Sequence, residues 1–364
     1  MTLEINHLTV EYHTASGILR AVEDLSFRLE PGRSLGIVGE SGCGKTTAML
    51  ALMRLLPETG RIVDGEVLLD GTDLLRLSPA AMRDYRWRSV SMVFQGAMNA
   101  LNPVRTIRSQ IAEAIRLHKT TPGDQIAGEV DRLLDLVGIL PERGNQYPHQ
   151  FSGGQRQRAM IAMALACRPQ LLIADEPTTA LDVMIQAQIL DLLQGLQAKL
   201  GIAILLVTHD LGVVAEMCDD VLVMYGGRMA EVADVDTIYN DPRHPYTQRL
   251  LNAFPDVSNP SADLVSIPGY PPALDALPPG CRFAPRCHRA MEECVRQLPQ
   301  PIQLAPGRAV SCLRAWEPPN KYGSRAGSPR SVPTLPGARE AGWKPAIRQP
   351  ELAKIGKIGE NGVQ

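Results

Sequence analysis

One short segment of the chain has residue types and spacing suited to holding phosphate. Residues 39–46 read G-E-S-G-C-G-K-T, which matches the pattern G-x-x-x-x-G-K-[ST]. The glycines let backbone N–H groups turn inward around an anion. The helix predicted to begin here adds its positive dipole end. We therefore predict a phosphate loop (39–46), in which Lys45 reaches the β- and γ-phosphates of a nucleotide and the Thr46 hydroxyl binds Mg²⁺.

An acidic pair provides a second candidate site. Asp175 and Glu176 follow the apolar run L-L-I-A, and ligands bind at the carboxyl ends of strands in open α/β sheets. Asp175 is predicted to hold Mg²⁺, and Glu176 to orient and deprotonate the water that attacks the γ-phosphate. Taken without the phosphate loop, the same pair would suit a solvated strand end.

The elements that position these residues alternate between apolar strands and helices. Such alternation predicts an α/β fold with a mixed, mainly parallel sheet covered on both faces. The predicted strands span 34–38, 65–69, 171–174, 202–207 and 220–224. The predicted helices span 46–56, 152–167 and 183–200, and helical periodicity also fills much of 96–150.

Four parts of the chain differ in pattern. We predict an ATPase core over 1–95 and 168–240, with a helical subdomain over 96–167. After these come a small, irregular, Cys-rich extension (241–317) and a tail over 318–364. The tail is rich in Gly, Pro, Ser and Arg and has little apolar periodicity, which predicts disorder. Contact with anionic lipid is the alternative for the tail, because its net charge is positive.

Composition limits the class of protein. The 364 residues are 45% apolar and 21% charged, with a formal net charge of −2. This favours a globular protein and argues against non-specific nucleic-acid binding. No apolar run approaches the roughly 18 residues that span a bilayer, and the N-terminus does not have the pattern of a signal peptide. We therefore expect a cytosolic chain whose membrane role, if any, comes through a partner.

A third motif, F-S-G-G-Q-R-Q-R at residues 151–158 (the signature segment), begins a predicted helix with Ser152 as its N-cap. With the phosphate loop before it and the acidic strand after it, the sequence resembles the ATP-binding cassette (ABC) ATPases. The resemblance implies ATP and Mg²⁺ as ligands, and two cassettes that sandwich two ATP molecules. It implies that the signature residues act on ATP held by the other subunit; these residues are Ser152, Gly153, Gly154 and Gln155.

The same resemblance assigns further roles. Gln95 would sense Mg²⁺ and the attacking water, His209 would contact the γ-phosphate, and Asp182 would lie in the loop that crosses to the other subunit. Tyr12 would stack on adenine, although it also suits an ordinary strand aromatic. Glu176, His209 and Gln95 are the implied catalytic residues, and Thr46, Gln95 and Asp175 the Mg²⁺ ligands. The implied ATP-binding residues are Tyr12, Gly39, Glu40, Ser41, Gly42, Cys43, Gly44, Lys45, Thr46 and Thr47.

Segments outside these motifs narrow the resemblance to the ATPases of dipeptide and oligopeptide importers, over about 1–315. Two of them are F-Q-G-A-M-N-A-L-N-P at 94–103 and R-H-P-Y-T-Q-R-L-L at 243–251. The others are I-P-G-Y-P-P-A-L at 267–274 and G-C-R-F-A-P-R-C at 280–287. The sequence departs from the pattern of these importers at two places. Gln155 stands where they often carry Met, and Gly96-Ala97 replaces the more usual Asp-Pro.

The narrower resemblance implies a peripheral subunit on the cytoplasmic face of the inner membrane. Its partners would be a second ABC ATPase subunit, a paralogue rather than a copy, two transmembrane permease subunits and an extracytoplasmic solute-binding protein, with no nucleic acid. Three alternatives stay open: the same machinery importing nickel chelates or another small solute, a soluble non-transport ABC ATPase, and an exporter cassette.

Four cysteines fall close together in the extension, at Cys281, Cys287, Cys294 and Cys312. A short Pro-rich segment has few other means of ordering itself, so a four-thiolate metal site is predicted. The spacing has no tight C-x2–4-C pair of the kind usual for zinc and suits a [4Fe–4S] cluster better. Some peptide-importer ATPases carry such a cluster here. Zn²⁺ and unligated or partly disulfide-bonded cysteines are the alternatives.

Overall fold

The computed structural model describes residues 1–15, 17–94, 100–179, 181–253 and 267–317. The predicted tail and Gln95 lie outside the described residues. The strands are β1 (Leu3–Thr14), β2 (Gly17–Leu29), β3 (Ser34–Val38), β4 (Gly60–Leu69), β5 (Thr72–Asp73), β6 (Val90–Val93), β7 (Leu171–Asp175), β8 (Ala203–Val207), β9 (Asp220–Tyr225), β10 (Arg228–Asp234), β11 (Ile302–Ala305) and β12 (Arg308–Val310).

The α-helices connect these strands and cover the sheets. They are α1 (Lys45–Leu52), α2 (Pro79–Arg88), α3 (Ile107–His118), α4 (Ile126–Leu136), α5 (Gly153–Ala164), α6 (Val183–Leu200), α7 (Leu211–Met217), α8 (Val235–Asn240), α9 (Pro245–Asn252) and α10 (Glu292–Arg296). Helix α2 is interrupted near its end, where Arg86 and Trp87 leave the helical conformation.

The main sheet has the strand order β11-β12-β10-β9-β3-β8-β7-β6. From β9 to β6 all neighbours are parallel, whereas β10, β12 and β11 add antiparallel strands at one edge. The predicted α/β fold with a mixed, mainly parallel sheet is confirmed. In this sheet the sequence pattern did not predict β6, β10, β11 or β12. It therefore did not predict that the extension continues the sheet.

Both faces of the main sheet are buried, which explains why its strands are continuous apolar runs. Along β7, Leu171 and Ile173 face one core, and Leu172 and Ala174 face the other. The first core is shared with the antiparallel sheet β2-β1-β4-β5 and with α1. The second is shared with α3, α4, α5 and α6. Burial on two sides fixes where the carboxyl end of each strand emerges, and the candidate site lies at these ends.

The extension is fastened to the sheet by a buried carboxylate. Glu231 on β10 is fully buried and accepts the backbone N–H of Arg243 at 2.7 Å and of His244 at 2.9 Å. The His244 side chain then accepts the N–H of Tyr246 at 3.0 Å and caps α9. These bonds fix the R-H-P-Y segment against β10, and β10 also pairs with β12.

Aromatic packing completes the attachment of the extension. The ring of Phe283 lies 5.1 Å from Tyr225 at the end of β9 and 5.3 Å from Tyr246 on α9, measured between centroids. Tyr225 and Tyr246 lie 4.6 Å apart. Aromatic residues are only 4% of the chain, so this cluster concentrates a scarce residue type where the extension meets the sheet.

We expect Phe283→Ala to lower the free energy of unfolding by about 3–5 kcal/mol, because it removes a fully buried ring between two others. Urea denaturation of the nucleotide-free protein measures this loss. Val295→Ala is the control, since Val295 belongs to the same extension and is 57% exposed. An equal, small effect of both substitutions would contradict the role given to the cluster.

Candidate nucleotide-binding site

The phosphate loop connects β3 to α1 and passes very close to two other stretches of backbone. Gly39, Gly42 and Gly44 have φ values of 154°, 78° and 101°. A Cβ atom on Gly39 would lie 2.3 Å from the carbonyl oxygen of Met224, and one on Gly44 would lie 2.4 Å from that of Ala21. Only glycine fits either position, so the loop path depends on these residues.

Lys45, the first residue of α1, is buried and turned back into the phosphate loop. Its Nζ donates to the carbonyl oxygens of Gly39 at 2.7 Å and Glu40 at 3.1 Å. The Cys43 sulfur lies 3.7 Å from the same Nζ, and burial raises the pKa of this thiol despite the neighbouring ammonium. The loop thus encloses its own cation, and the Cys43 side chain forms part of the enclosure.

Asp175 closes β7 beside the start of α1. The carboxylate is 1% exposed, and its Oδ1 accepts the Thr46 hydroxyl at 3.4 Å. The pKa of Asp175 is raised to about 6: burial is the largest cause and the charge of Glu176 adds to it, while Thr46 and Lys45 act in the opposite direction. A hydroxyl and a buried carboxylate are the oxygen donors that Mg²⁺ prefers, so the residues present fit this ion.

Glu176 is held from two sides. Its φ of 46° bends the chain after β7, and its N–H donates to the carbonyl oxygen of Val207 at 2.8 Å. The Thr179 hydroxyl donates to Oε2 at 2.9 Å, and Nδ1 of His209 lies 3.4 Å from Oε1. The structure therefore brings Glu176 and His209 together, and their predicted catalytic roles stay a prediction. Thr179 was missed, although its position three residues after an acidic strand end could have indicated such a contact.

The signature segment lies at the N-terminus of α5. Ser152 is exposed and forms a capping box with Gln155: its Oγ accepts the Gln155 N–H at 3.3 Å, and its N–H donates to Gln155 Oε1 at 3.2 Å. Gly153 follows as the first residue of the helix. A Cβ on Gly154 would lie 2.5 Å from Cγ2 of Ile185 on α6. Gly154 therefore lets the two helices approach closely.

Asp182 caps the neighbouring helix α6 by accepting the Ile185 N–H at 3.0 Å. It is exposed, like Val183 and Met184 after it, which are 66% and 70% exposed. The N-termini of α5 and α6 thus lie side by side, joined through Gly154 and Ile185. Ser152 and Asp182, which are far apart in sequence, are therefore both exposed at neighbouring helix N-termini, and Gly154 is buried where the two helices meet.

The remaining predicted residues lie around the phosphate loop, except one. The Tyr12 hydroxyl lies 3.3 Å from the Thr47 hydroxyl on α1, which brings the aromatic ring beside the loop. Ser41 is exposed at the tip of the loop. Gln95 lies outside the described residues, so its predicted contacts with Mg²⁺ and water stay a prediction.

The extension contacts the phosphate loop directly, which sequence reasoning missed. The Glu40 N–H donates to the Tyr246 hydroxyl at 3.0 Å. Arg286 donates to both carboxylate oxygens of Glu40, at 2.7 and 3.0 Å, and to the Tyr225 hydroxyl at 3.1 Å. Burial would lower the pKa of Arg286, but its bonds to Glu40 and Tyr225 outweigh burial and raise it. Glu40 and Arg286 are 246 positions apart in sequence, so no local pattern indicates this contact.

The four clustered cysteines line one cavity, together with Phe283 and Pro299. All seven cysteines of the chain are free thiols. Burial raises the pKa of Cys287 and of Cys312 to about 11. Across the described ranges, however, no group of three or more His, Cys, Asp or Glu side chains is arranged to hold a metal ion. The thiols converge, but neither the predicted [4Fe–4S] cluster nor the alternative Zn²⁺ site is shown.

Comparison with known proteins identifies the family. Residues 22–179 match the ABC transporter family, and residues 230–294 match the oligopeptide/dipeptide transporter C-terminal region. The chain is 48% identical over 318 residues to the oligopeptide transport ATP-binding protein OppD of Salmonella typhimurium, covering 86% of this chain and 94% of that protein. The chain belongs to the ABC transporter ATP-binding proteins. The predicted resemblance is confirmed.

Other relatives of this ABC ATPase agree. It is 47% identical over 313 residues to the dipeptide transport ATP-binding protein DppD of Bacillus subtilis, covering 85% of this chain and 93% of that protein. Among solved structures, a dimeric ATP-binding cassette in a post-hydrolysis state with ADP and phosphate superposes with a TM-score of 0.58 at 26% identity. That match covers 64% of this chain and 98% of the cassette. The fold is therefore that of a P-loop ABC ATPase.

Within the parts of the chain that the structure describes, no helix combines the length and the apolar character needed to cross a bilayer.

We expect Asp175→Asn to stabilise the nucleotide-free, metal-free protein at about pH 8 by on the order of 1–3 kcal/mol. Folding raises the pKa of Asp175 from 3.8 to about 6, so the folded protein holds this proton more tightly than the unfolded chain. Its contribution to stability is complete below about pH 4 and is lost as the pH rises through about 6. The gain in stability from Asp175→Asn should therefore fall toward zero as the pH is lowered to about 4.

Thermal unfolding in EDTA across this pH range measures the difference, with Asp124→Asn as the control because Asp124 is exposed. A gain in stability from Asp175→Asn that did not depend on pH would show that burial does not destabilise the charged carboxylate.

Proposed function

We propose that the chain hydrolyses ATP to energise the import of dipeptides or oligopeptides. The observation that carries the proposal is that one chain matches both the ABC transporter family and the oligopeptide/dipeptide transporter C-terminal region. The relatives from Salmonella typhimurium and Bacillus subtilis are described as oligopeptide and dipeptide transport ATP-binding proteins. These similarities favour a peptide over a nickel chelate as the transported solute.

The nucleotide binds at the phosphate loop. Lys45 already lies within the loop on the carbonyl oxygens of Gly39 and Glu40, and it meets the β- and γ-phosphates when they enter. Thr46 and Asp175 supply oxygen donors for Mg²⁺, together with Gln95. When bound, the ion neutralises charge on the phosphate oxygens. Tyr12, next to Thr47, stacks on the adenine.

Glu176 then acts as the base for the attacking water. The water oxygen forms a bond to the γ-phosphorus, the bond from that phosphorus to the bridging oxygen of ADP breaks, and Glu176 takes the proton of the water. Thr179 and His209 hold the Glu176 carboxylate from two sides. His209 is 65% exposed, which leaves it accessible to the γ-phosphate. Most of the catalysis is positioning and charge stabilisation.

The site is completed by a second cassette. Ser152 and Asp182 are exposed at the N-termini of α5 and α6, where they are accessible to a nucleotide on another subunit. The other signature residues follow Ser152 in the first turn of α5. One solved relative is a dimeric cassette in a post-hydrolysis state, which supports this arrangement. We propose a paralogous ATPase as the partner, rather than a second copy of the chain.

Transport itself takes place in other subunits. We propose that two transmembrane permease subunits hold the cassette pair at the cytoplasmic face of the inner membrane, and that an extracytoplasmic solute-binding protein delivers the peptide. The region of 96–150 next to the ATPase core would receive a short cytoplasmic helix of a permease. Gln95, at the start of this region, would link that contact to hydrolysis.

We expect Glu176→Gln to retain ATP binding but to lower turnover by about 10²–10⁴-fold, because the base is lost while the phosphate loop is intact. Phosphate release by the assembled complex, with no second competent site, measures the loss. Glu142→Gln, which changes an exposed carboxylate, is the control and should be unaffected.

Uptake of a labelled di- or tripeptide should fall in parallel with turnover in Glu176→Gln. Uptake of a nickel chelate but of no peptide by the wild-type complex would replace the proposed solute while leaving the ATPase assignment intact. Wild-type turnover in Glu176→Gln would overturn the assignment of the base.

We also propose that Cys281, Cys287, Cys294 and Cys312 hold a metal centre, a [4Fe–4S] cluster in preference to Zn²⁺. Their convergence on one cavity supports this, and four thiolates are soft ligands suited to iron or zinc. The centre would act as a cross-link that orders the extension. The ligand set is not preformed in the described structure, so the thiols would have to move inward and deprotonate.

Replacing any one of these four cysteines by serine should therefore release the metal and loosen the extension, while the parallel strands β9, β3, β8, β7 and β6 of the main sheet stay folded. Iron, zinc and acid-labile sulfide measured on anaerobically purified protein test this, and a cluster gives broad absorption near ~400 nm. Cys167→Ser is the control, since Cys167 is buried in the core shared with α3, α4, α5 and α6, away from the extension. Absence of both iron and zinc from the wild-type protein would mean that the four thiols only pack.

A further inference from the structure

The segment between the first two clustered cysteines carries two arginines that the proposed mechanism does not use. Residues 281–287 read C-R-F-A-P-R-C, and Phe283 anchors the segment in the aromatic cluster. Both Arg282 and Arg286 are buried and form ion pairs with acidic side chains outside the extension. The two arginines bring the extension into contact with the surroundings of the phosphate loop.

Arg286 makes the more specific contact. Its guanidinium binds both oxygens of Glu40, and the same side chain donates to the carbonyl oxygen of Pro268 at 2.8 Å and to the Tyr225 hydroxyl at 3.1 Å. A bidentate pair of this kind fixes orientation as well as distance. Two hydrogen bonds therefore join Arg286 to one residue of the phosphate loop, and the bonds to Pro268 and Tyr225 hold its guanidinium in place.

Glu40 is a residue whose charge needs such a partner. It is the one acidic residue among 39–46, and the loop has to accept the negative charge of a nucleotide triphosphate. Its carbonyl oxygen accepts Lys45 Nζ and its N–H donates to Tyr246, so its backbone is fixed beside the phosphate site. Without compensation, a partly buried carboxylate here would repel phosphates through a medium that screens charge poorly.

The second arginine, Arg282, contacts the same loop indirectly. Arg282 donates to the carbonyl oxygen of Gly226 and to Glu23. The adjacent Gly227 N–H donates to the carbonyl oxygen of Cys43 at 3.0 Å. The extension thus contacts residue 40 directly and residue 43 through one intervening turn.

We propose that Arg286 is a positioning residue for nucleotide binding: by pairing with Glu40 it cancels the one negative charge of the phosphate loop and so sets the affinity for nucleotide polyphosphates. The extension then acts on the ATP site of its own chain. The proposal rests on the phosphate loop binding ATP, and it does not depend on which solute the transporter carries.

Arg286→Ala should weaken the binding of Mg-ATP to the full-length chain by about tenfold or more, which corresponds to about 1.4 kcal/mol. Binding of AMP, which has no β- or γ-phosphate, should change by less than about threefold. Isothermal titration with each nucleotide measures both effects. Adding Glu40→Gln to Arg286→Ala should restore Mg-ATP affinity to within about threefold of wild type, because it removes the uncompensated charge.

Arg308→Ala is the matched control. Arg308 is a largely buried arginine of the same extension, and it pairs with Asp241 at 3.1 Å rather than with the phosphate loop. It should leave the ratio of ATP to AMP affinity unchanged, whatever it does to stability. Should Arg286→Ala fail to fold, Arg286→Lys, which keeps the charge but loses the bidentate geometry, should give an intermediate loss of ATP affinity.

Three results would overturn the proposal: equal losses for ATP and AMP, equal behaviour of Arg286→Ala and Arg308→Ala, or no recovery on adding Glu40→Gln. Each would mean that Arg286 only holds the extension in place. Failure of peptide uptake in a complex that shows these ATP effects would count against the peptide assignment and not against this proposal.

Discussion

The phosphate loop passes so close to neighbouring backbone that no side chain fits at two of its positions, and the rest of the site depends on this constraint. Carbonyl oxygens of Met224 and Ala21 occupy the space that a Cβ would need on Gly39 and Gly44. Met224 belongs to the main sheet and Ala21 to the antiparallel sheet. The loop backbone is therefore confined between two sheets.

Within this confined site, each charged side chain has its own hydrogen-bond partners. Lys45 is satisfied by carbonyl oxygens, Asp175 by the Thr46 hydroxyl, and Glu176 by Thr179 and His209. The partners of Lys45 and the Thr179 hydroxyl come from the same local segment as the group that they hold. Thr46 and His209 come from other elements, so the order of strands in the sheet brings them to Asp175 and Glu176. A buried charge without such partners would be costly, which is why the site and the fold are stabilised together.

Much of this was predictable from sequence because the signals are local. The phosphate loop, the acidic strand end and the signature segment each carry their meaning within about ten residues, and apolar alternation predicts the parallel sheet. The contact of Arg286 with Glu40 spans 246 positions, and no local pattern encodes it. Nor does a local pattern show that Gly154 has to be glycine, because the side chain that leaves no room there is Ile185 of another helix. Strand β12 has only three residues, which is too short to give a periodic signal.

The position of Lys45 has a consequence for how the site is filled. Its ammonium is buried and donates to the carbonyl oxygens of Gly39 and Glu40, which take the place of water around it. Arrival of phosphate is then an exchange of one set of oxygen ligands for another, with little water to displace from the lysine. Filling the loop should therefore change the direction of the Lys45 side chain more than the path of the backbone, because the backbone at Gly39 and Gly44 has no free space around it.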